Sequence, residues 1–145
     1  MQLNLCPLFS GSSGNSVYVA CGGVKLLVDA GVSATRVEAN LREIGVDIRE
    51  IDAILVTHEH VDHVRGLGVL CRRFGLPVYA NEGTWQGIVQ KESGIPQRCV
   101  RTFVTGENFY IGGVDISPFH IPHDANDPVG FSLNAQGLKC GVATD

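Results

Sequence analysis

The sequence contains no run of roughly 18 or more apolar residues, and its N-terminus lacks a basic segment followed by a long apolar stretch. These absences argue against a membrane-spanning helix and a secretory signal, and they predict a cytoplasmic protein. An excess of basic charge is also missing, because 11 Lys and Arg face 15 Asp and Glu, for a net charge of −4. This balance argues against broad electrostatic binding to nucleic acid. It is compatible with a local nucleic-acid groove, because bound divalent metals would add positive charge.

The five cysteines form no C-x-x-C pair: Cys6, Cys21, Cys71, Cys99 and Cys140. Their spacing offers neither a zinc knuckle nor a disulfide framework. We therefore expect buried free thiols in a reducing compartment.

Short apolar runs typical of strands are divided by turns rich in glycine and asparagine, and they alternate with segments of helical spacing. Strands are expected at 3–9, 16–21, 24–29, 53–56, 77–80, 100–104, 108–111, 114–119, 129–134 and 138–144. Helices are expected after Ser33, from His63 to Phe74 and after Asn81. This order predicts one α/β domain. The last strand runs up to the C-terminal Asp145, so we expect a longer protein of which this chain is the N-terminal part.

All five histidines fall into two groups, His58, His60 and His63 in one and His120 and His123 in the other. Scattered structural histidines would not group in this way. The first group directly follows an apolar predicted strand. Residues two apart in an extended segment point the same way, so His58 and His60 can present their imidazoles to one ion.

The next turn of the chain brings Asp62 and His63 toward a second point nearby, and Asp62 stands at the expected N-cap of a helix. Imidazole and carboxylate without thiolate suit zinc, manganese or iron better than calcium or an iron–sulfur cluster. Two metals roughly 3.5–4 Å apart would lower the pKa of a bound water to about 7 and hold both the attacking and the leaving oxygen. The pattern therefore predicts hydrolytic chemistry.

The H-x-H-x-D-H pattern after an apolar strand resembles the signature of the metallo-β-lactamase superfamily. Further segments narrow the resemblance to the YycJ (WalJ) family: S-G-S-S-G-N-S at 10–16, L-V-D-A-G at 27–31, H-D-A at 123–125 and A-T-D at 143–145. The resemblance implies the αβ/βα sandwich of metallo-β-lactamases, with residues 1–145 forming its N-terminal portion. It also implies a phosphodiesterase or nuclease.

The resemblance further implies two divalent metals, with zinc expected and manganese or iron as alternatives. The implied ligands fall into three sets: His58, His60 and His123 for one metal, Asp62 and His63 for the other, and Asp145 as the bridge. Asp62 is in addition the expected catalytic residue, holding or relaying a proton.

Neighbouring residues are expected to support these ligands. By resemblance, Asp29 hydrogen-bonds to the metal loop, and the Thr57 hydroxyl steadies the same loop; the alternative is that both are ordinary strand-end residues. Asp124 is placed to orient His123 or another ligand. His120 lies in an apolar run, so we expect it in the core or behind a ligand.

The loop 10–16 is rich in backbone N–H groups and hydroxyls and can form an anion nest for a phosphate. Ser13 and Asn15 are its candidate substrate-binding side chains. Most Gly/Ser loops are only turns, so this interpretation depends on the neighbouring metal site.

The leading hypothesis is a nuclease or other phosphodiesterase acting on DNA or RNA, in which a metal-bridging hydroxide attacks phosphorus in line. One alternative keeps the site but hydrolyses a thioester, a lactone, a β-lactam or a cyclic phosphate. A second is a redox di-iron protein, although such relatives place Glu where this chain has His60. A third is a non-catalytic fragment that binds one metal weakly.

Overall fold

The computed structural model describes residues 3–92 and 94–143. Its strands are β1 (Leu3–Phe9), β2 (Ser16–Cys21), β3 (Val24–Val28), β4 (Ala53–Leu55), β5 (Val78–Asn81), β6 (Val100–Phe103), β7 (Phe109–Ile111), β8 (Val114–His120), β9 (Val129–Ala135) and β10 (Leu138–Val142). Its helices are α1 (Ala34–Glu43), α2 (Val61–Val64), α3 (Leu67–Phe74) and α4 (Glu82–Lys91), with 3-10 turns at Ile48–Glu50 and Gln97–Cys99. None of these helices is long and apolar enough to cross a membrane.

The strands form two sheets, one of six strands in the order β1-β2-β3-β4-β5-β6 and one of four in the order β10-β9-β8-β7. In the larger sheet β1, β2 and β3 pair antiparallel, and β3 to β6 pair parallel. The smaller sheet is antiparallel throughout. Helices cover one face of the large sheet, and the small sheet covers the other.

Strand alternation divides the core into two layers. Leu27 and Ile54 pack in the cluster shared with the helices, where Leu41 and Leu70 also lie. Their chain neighbours Leu26 and Leu55, by contrast, pack against Phe131 and other residues of the small sheet. Because β3 and β4 are buried on both faces, they consist almost entirely of apolar residues, which made β4 recognisable from sequence.

The parallel pairing of β3 with β4 also decides where the polar residues meet. Val28 pairs with Leu55, so the segments that follow the two strands leave the sheet at the same edge. The small sheet reaches this edge as well, because the Val129 N–H donates to the Thr57 carbonyl at 2.9 Å. Three segments distant in sequence thereby converge at one place.

Within the described residues the expected strands are all present, with ends that differ by two residues at most. The expected caps are present too: Ser33 accepts a hydrogen bond from the Arg36 N–H, and Asn81 accepts one from the Thr84 N–H. Two large apolar residues near these helices remain exposed, Ile44 by 42% and Val89 by 67%. Ile44 caps the C-terminus of α1 and so lies beyond the regular helix.

The single helix expected from His63 to Phe74 is wrong, because the chain forms α2 and α3 with a break at Gly66. A Cβ atom on Gly66 would lie 2.4 Å from the Val32 carbonyl oxygen. The Gly66 N–H also donates to the Ala30 carbonyl at 2.8 Å, which fixes Gly66 against the loop that follows β3. This tertiary contact overrides local helical spacing.

Candidate metal centre

Three imidazoles converge at the sheet edge where the segments after β3 and β4 leave the large sheet. One ring nitrogen from each of His58, His60 and His123 lies within 4.8 Å of the others. His60 Nδ1 and His123 Nε2 are 3.4 Å apart, and the His58 and His123 ring centroids are 4.6 Å apart. Sequence spacing predicted the pairing of His58 with His60, and the resemblance implied His123. The structure brings His123 to the other two rings from the segment between β8 and β9. Such a set of imidazoles suits zinc and other divalent transition metals.

His58 supplies the test of whether the cluster fits a metal. Its side chain is fully buried, and its Nε2 has no hydrogen-bond partner among residues 3–92 and 94–143. A buried polar atom without a partner is unfavourable unless something else satisfies it. A cation among the three rings would do so, and the donor set therefore fits a divalent metal.

The state of the His58 ring also favours metal binding. The Thr57 hydroxyl donates to Asp29 at 2.7 Å, so its oxygen is free to accept from the His58 Nδ1–H at 3.0 Å. This contact assigns the proton to Nδ1 and leaves the Nε2 lone pair toward the cluster. Burial, with the neighbouring imidazoles of His63, His60 and His123, lowers the pKa of His58 to about 3. The ring is consequently neutral, which is the form that coordinates metals.

Asp62 and His63, the predicted second pair of ligands, lie beside this cluster. The Asp62 Oδ2 and His63 Nε2 atoms are 3.8 Å apart, and the ring centroids of His63 and His58 are 4.1 Å apart. His63 is fully buried, whereas 26% of the Asp62 side chain is exposed. The N-cap of α2 is His60, so the expectation that Asp62 caps this helix is wrong. Asp62 lies in the first turn, where a carboxylate is still favoured by the helix dipole.

Asp29 connects the three-histidine cluster with the Asp62–His63 pair through hydrogen bonds to Thr57 and His63. Its Oδ1 accepts from the Thr57 N–H at 2.8 Å, and its Oδ2 accepts from the Thr57 hydroxyl and from His63 Nδ1, each at 2.7 Å. Donation from Nδ1 leaves the Nε2 lone pair of His63 toward Asp62. Asp29 also has a φ of 67°, a conformation that is uncommon outside glycine and best tolerated by Asp and Asn. The hydrogen bonds expected for Asp29 and Thr57 are thus present.

Backbone contacts hold the motif against the two preceding loops. The Asn15 N–H donates to the Asp62 carbonyl at 2.8 Å, and the Ala30 N–H donates to the His63 carbonyl at 2.9 Å. A Cβ atom on Gly31 would lie 1.7 Å from the Asp62 carbonyl oxygen. Glycine is therefore required at position 31 by close backbone approach.

The two candidate substrate-binding residues differ in their surroundings. Ser13 is exposed at the rim of the loop. Asn15 is buried, and its Oδ1 accepts from the Gly11 N–H at 3.2 Å while its Nδ2 donates to the Gly11 carbonyl at 2.9 Å. Its Nδ2 also lies 3.2 Å from both Asp62 Oδ2 and His63 Nε2. Asn15 thus braces the loop against the motif.

Two expectations for the His123 region meet a different geometry. His120 lies outside the core with 67% of its side chain exposed, and its Nδ1 is 3.6 Å from Asp127 Oδ1, so the buried position predicted for it is wrong. By strand alternation His120 shares a face with Ile116, but it stands at the end of β8, where the covering layer stops.

Asp124 is exposed and makes no hydrogen bond to His123 within the described ranges. Asp145, the predicted bridge, lies outside the described residues.

Sequence analysis missed Glu59, the residue between the first two histidines. It is 5% exposed, and its Oε2 accepts from the Asn126 N–H at 3.0 Å. Nothing in the motif distinguishes a buried acid at this position from an exposed one. The cysteines follow expectation in part, with Cys21, Cys71 and Cys99 buried and all five free.

A layered αβ sandwich with a cluster of imidazoles at one sheet edge defines a class of metal-binding protein. The profile of the Metallo-beta-lactamase superfamily matches residues 10–138, and the chain belongs to this superfamily. The fold is seen in a metallo-beta-lactamase of Cronobacter sakazakii with the HARLDQ motif. That structure superposes with a TM-score of 0.76 at 19% identity, over 94% of this chain and 54% of the other. Fold and cluster together indicate divalent-metal binding.

The resemblance to the YycJ (WalJ) family is confirmed by curated relatives. The chain is 40% identical to the Exodeoxyribonuclease YycJ of Bacillus anthracis over 145 residues, which cover 100% of this chain and 55% of that protein. It is 43% identical to the Exodeoxyribonuclease WalJ of Streptococcus pneumoniae over 140 residues, which cover 95% of this chain and 52% of that protein. The chain therefore spans about half the length of these relatives.

Proposed function

We propose that this chain carries the metal centre of a nuclease that hydrolyses phosphodiester bonds in DNA. The observation that carries the proposal is the convergence of the His58, His60 and His123 rings, in which the buried His58 Nε2 has no hydrogen-bond partner among the described residues. The choice of DNA rests on the names of the two relatives that match nearly the whole chain. Nucleic acid is thus the proposed partner.

The proposed metals are two divalent ions, with zinc favoured by the imidazole donors. His58, His60 and His123 would hold one, and Asp62 with His63 would hold the other. When bound, such ions supply Lewis acidity toward water and toward the phosphate oxygens. Asp145 is proposed as a shared ligand on the basis of the A-T-D segment.

The side chains around the ions have separate proposed tasks. Asp62 is partly exposed and adjacent to His63, and its carboxylate is proposed to accept a proton from the attacking water. Asp29 keeps the proton of His63 on Nδ1 and thereby orients the ring. Ser13, which is exposed on the loop beside Asn15, is proposed to meet the phosphate backbone.

The test is hydrolysis of single- and double-stranded DNA by the complete protein with Zn²⁺ or Mn²⁺. Asp62→Ala should lose the activity, since the proposed proton acceptor and metal ligand is removed. Glu43→Ala serves as the control, because Glu43 is an exposed carboxylate at the end of α1. Wild-type rates in Asp62→Ala would overturn the proposal.

A second candidate keeps the same metal centre but takes a small substrate. The fold itself is shared with metallo-beta-lactamases such as the Cronobacter sakazakii protein. A panel of bis(p-nitrophenyl) phosphate, a thioester and a β-lactam separates the two. Turnover of the phosphodiester alone would support the nuclease.

A further inference from the structure

The carboxylate of Glu59 is buried between α4 and the segment that carries His123. Its Oε2 accepts from the Asn126 N–H, whereas its Oε1 has no hydrogen-bond partner among the described residues. Burying a carboxylate with one oxygen unpartnered is costly. The contact that Glu59 does make therefore has to be examined for a task that a smaller apolar side chain would not perform.

Helix α4 leaves room for this side chain. A Cβ atom on Gly87 would lie 2.2 Å from Glu59 Cγ and 2.6 Å from its Cβ. The Lys91 ammonium, one turn further along the same helix, lies 3.3 Å from the Glu59 carbonyl oxygen. Position 87 therefore has to be small for Glu59 to occupy its present place.

Asn126 belongs to the segment 121–128, which joins β8 to β9 and includes His123. The far end of this segment is fixed to the scaffold, because the Asn81 amide donates to the Asp127 carbonyl at 2.8 Å and the Asn126 amide donates to the Gly83 carbonyl at 2.9 Å. The Glu59 contact is different in kind. It joins the segment directly to the residue that lies between His58 and His60.

We propose that Glu59 is a positioning residue that holds the His123 segment against the motif, so that three imidazoles are assembled before a cation arrives. The inference rests on the proposed metal centre and adds a residue to it. An acceptor atom at Glu59 Oε2 is the feature required. A negative charge is not required, because the partner is a backbone N–H.

The experiment is a Co²⁺ titration of the complete protein, read by visible absorption, which reports the geometry of the ligands. Glu59→Ala should weaken the tighter Co²⁺ site by roughly 10- to 100-fold, the loss typical when a residue that orients a ligand is removed. Glu59→Gln keeps an acceptor oxygen and should retain the affinity and the spectrum. Glu43→Ala, an exposed glutamate near the end of α1, is the matched control and should also be unchanged.

Other outcomes separate this inference from the proposal on which it rests. Wild-type affinity and spectrum in Glu59→Ala, or equal losses in Glu59→Ala and Glu59→Gln, would overturn the role of Glu59 alone. Absence of Co²⁺ binding by the wild-type protein would overturn the metal centre itself. If Glu59→Ala does not fold, Gly87→Ala replaces it, because the new Cβ displaces Glu59 from outside the motif. An unchanged Co²⁺ site in folded Gly87→Ala would then count against the inference.

Discussion

The two halves of the candidate metal centre are built differently. His58, His60 and His123 face one another, with a nitrogen of His58 unpartnered among the described residues. Asp62 and His63, in contrast, both lie within 3.2 Å of the Asn15 amide nitrogen. The first half is open to a cation, and the second already has a donor facing its lone pairs. We therefore expect the three-imidazole half to bind a metal first and more tightly.

The largest effect is expected where both halves share one support. Asp29→Ala removes the acceptor of the Thr57 N–H, the Thr57 hydroxyl and the His63 ring. Each buried donor left unpaired costs roughly 1–3 kcal/mol, and alanine is less tolerant than aspartate of a positive φ. Denaturant titration of the metal-free protein should show a loss of several kcal/mol. Asp124→Ala is the control, and equal midpoints for the two variants would show that Asp29 does not link the halves.

The three-imidazole half is tested by two histidines three residues apart. His123→Ala should weaken Zn²⁺ or Co²⁺ binding by roughly 100-fold or more, because loss of a residue that only orients a ligand already costs roughly 10- to 100-fold. His120→Ala should have no effect, since His120 is exposed and outside the cluster. Equal losses in calorimetric titrations of both variants would remove the distinction between them.

The Asp62–His63 half is tested by replacing the Asn15 amide, which faces both residues, with a carboxylate. Asn15→Asp places a second carboxylate near Asp62 Oδ2, where the amide now lies at 3.2 Å. Like charges repel without a metal and favour a cation between them. The metal-free protein should lose on the order of 1–2 kcal/mol of stability, while the gain in melting temperature on adding Zn²⁺ should exceed that of the wild type. Asn134→Asp, on an exposed position of β9, is the control; a smaller Zn²⁺ shift than in the wild type would contradict the comparison.

The sequence sufficed for those parts of the site that depend on local spacing. Side chains two residues apart in an extended chain point the same way, which predicted the pairing of His58 with His60. The apolar run 53–56 predicted a strand buried on both faces. The motif resemblance added His123, whereas the apolar run around His120 led to the wrong expectation that His120 is buried. His120 is exposed because it stands at the end of β8, beyond the residues that cover this strand.

The remaining features depend on contacts between distant segments. The break at Gly66 is fixed by the Val32 carbonyl, and the small residue at position 31 is required by the Asp62 carbonyl. Glu59 fits against α4 because Gly87 lies opposite it. No spacing rule within one segment reports such close approaches, so they appear only once the segments are packed together.

The smallest expected effect concerns the hydroxyl that joins Asp29 to the first half. Thr57→Val keeps the shape of the side chain but removes the acceptor that holds the His58 proton on Nδ1. One neutral hydrogen bond is worth about 1 kcal/mol, which corresponds to a loss of roughly fivefold in metal affinity. Thr57→Ser retains the hydroxyl and should bind Co²⁺ as the wild type does. The same affinity and absorption spectrum in Thr57→Val would mean that the His58 tautomer is set without Thr57, and that the readiness of the three-imidazole half arises from burial alone.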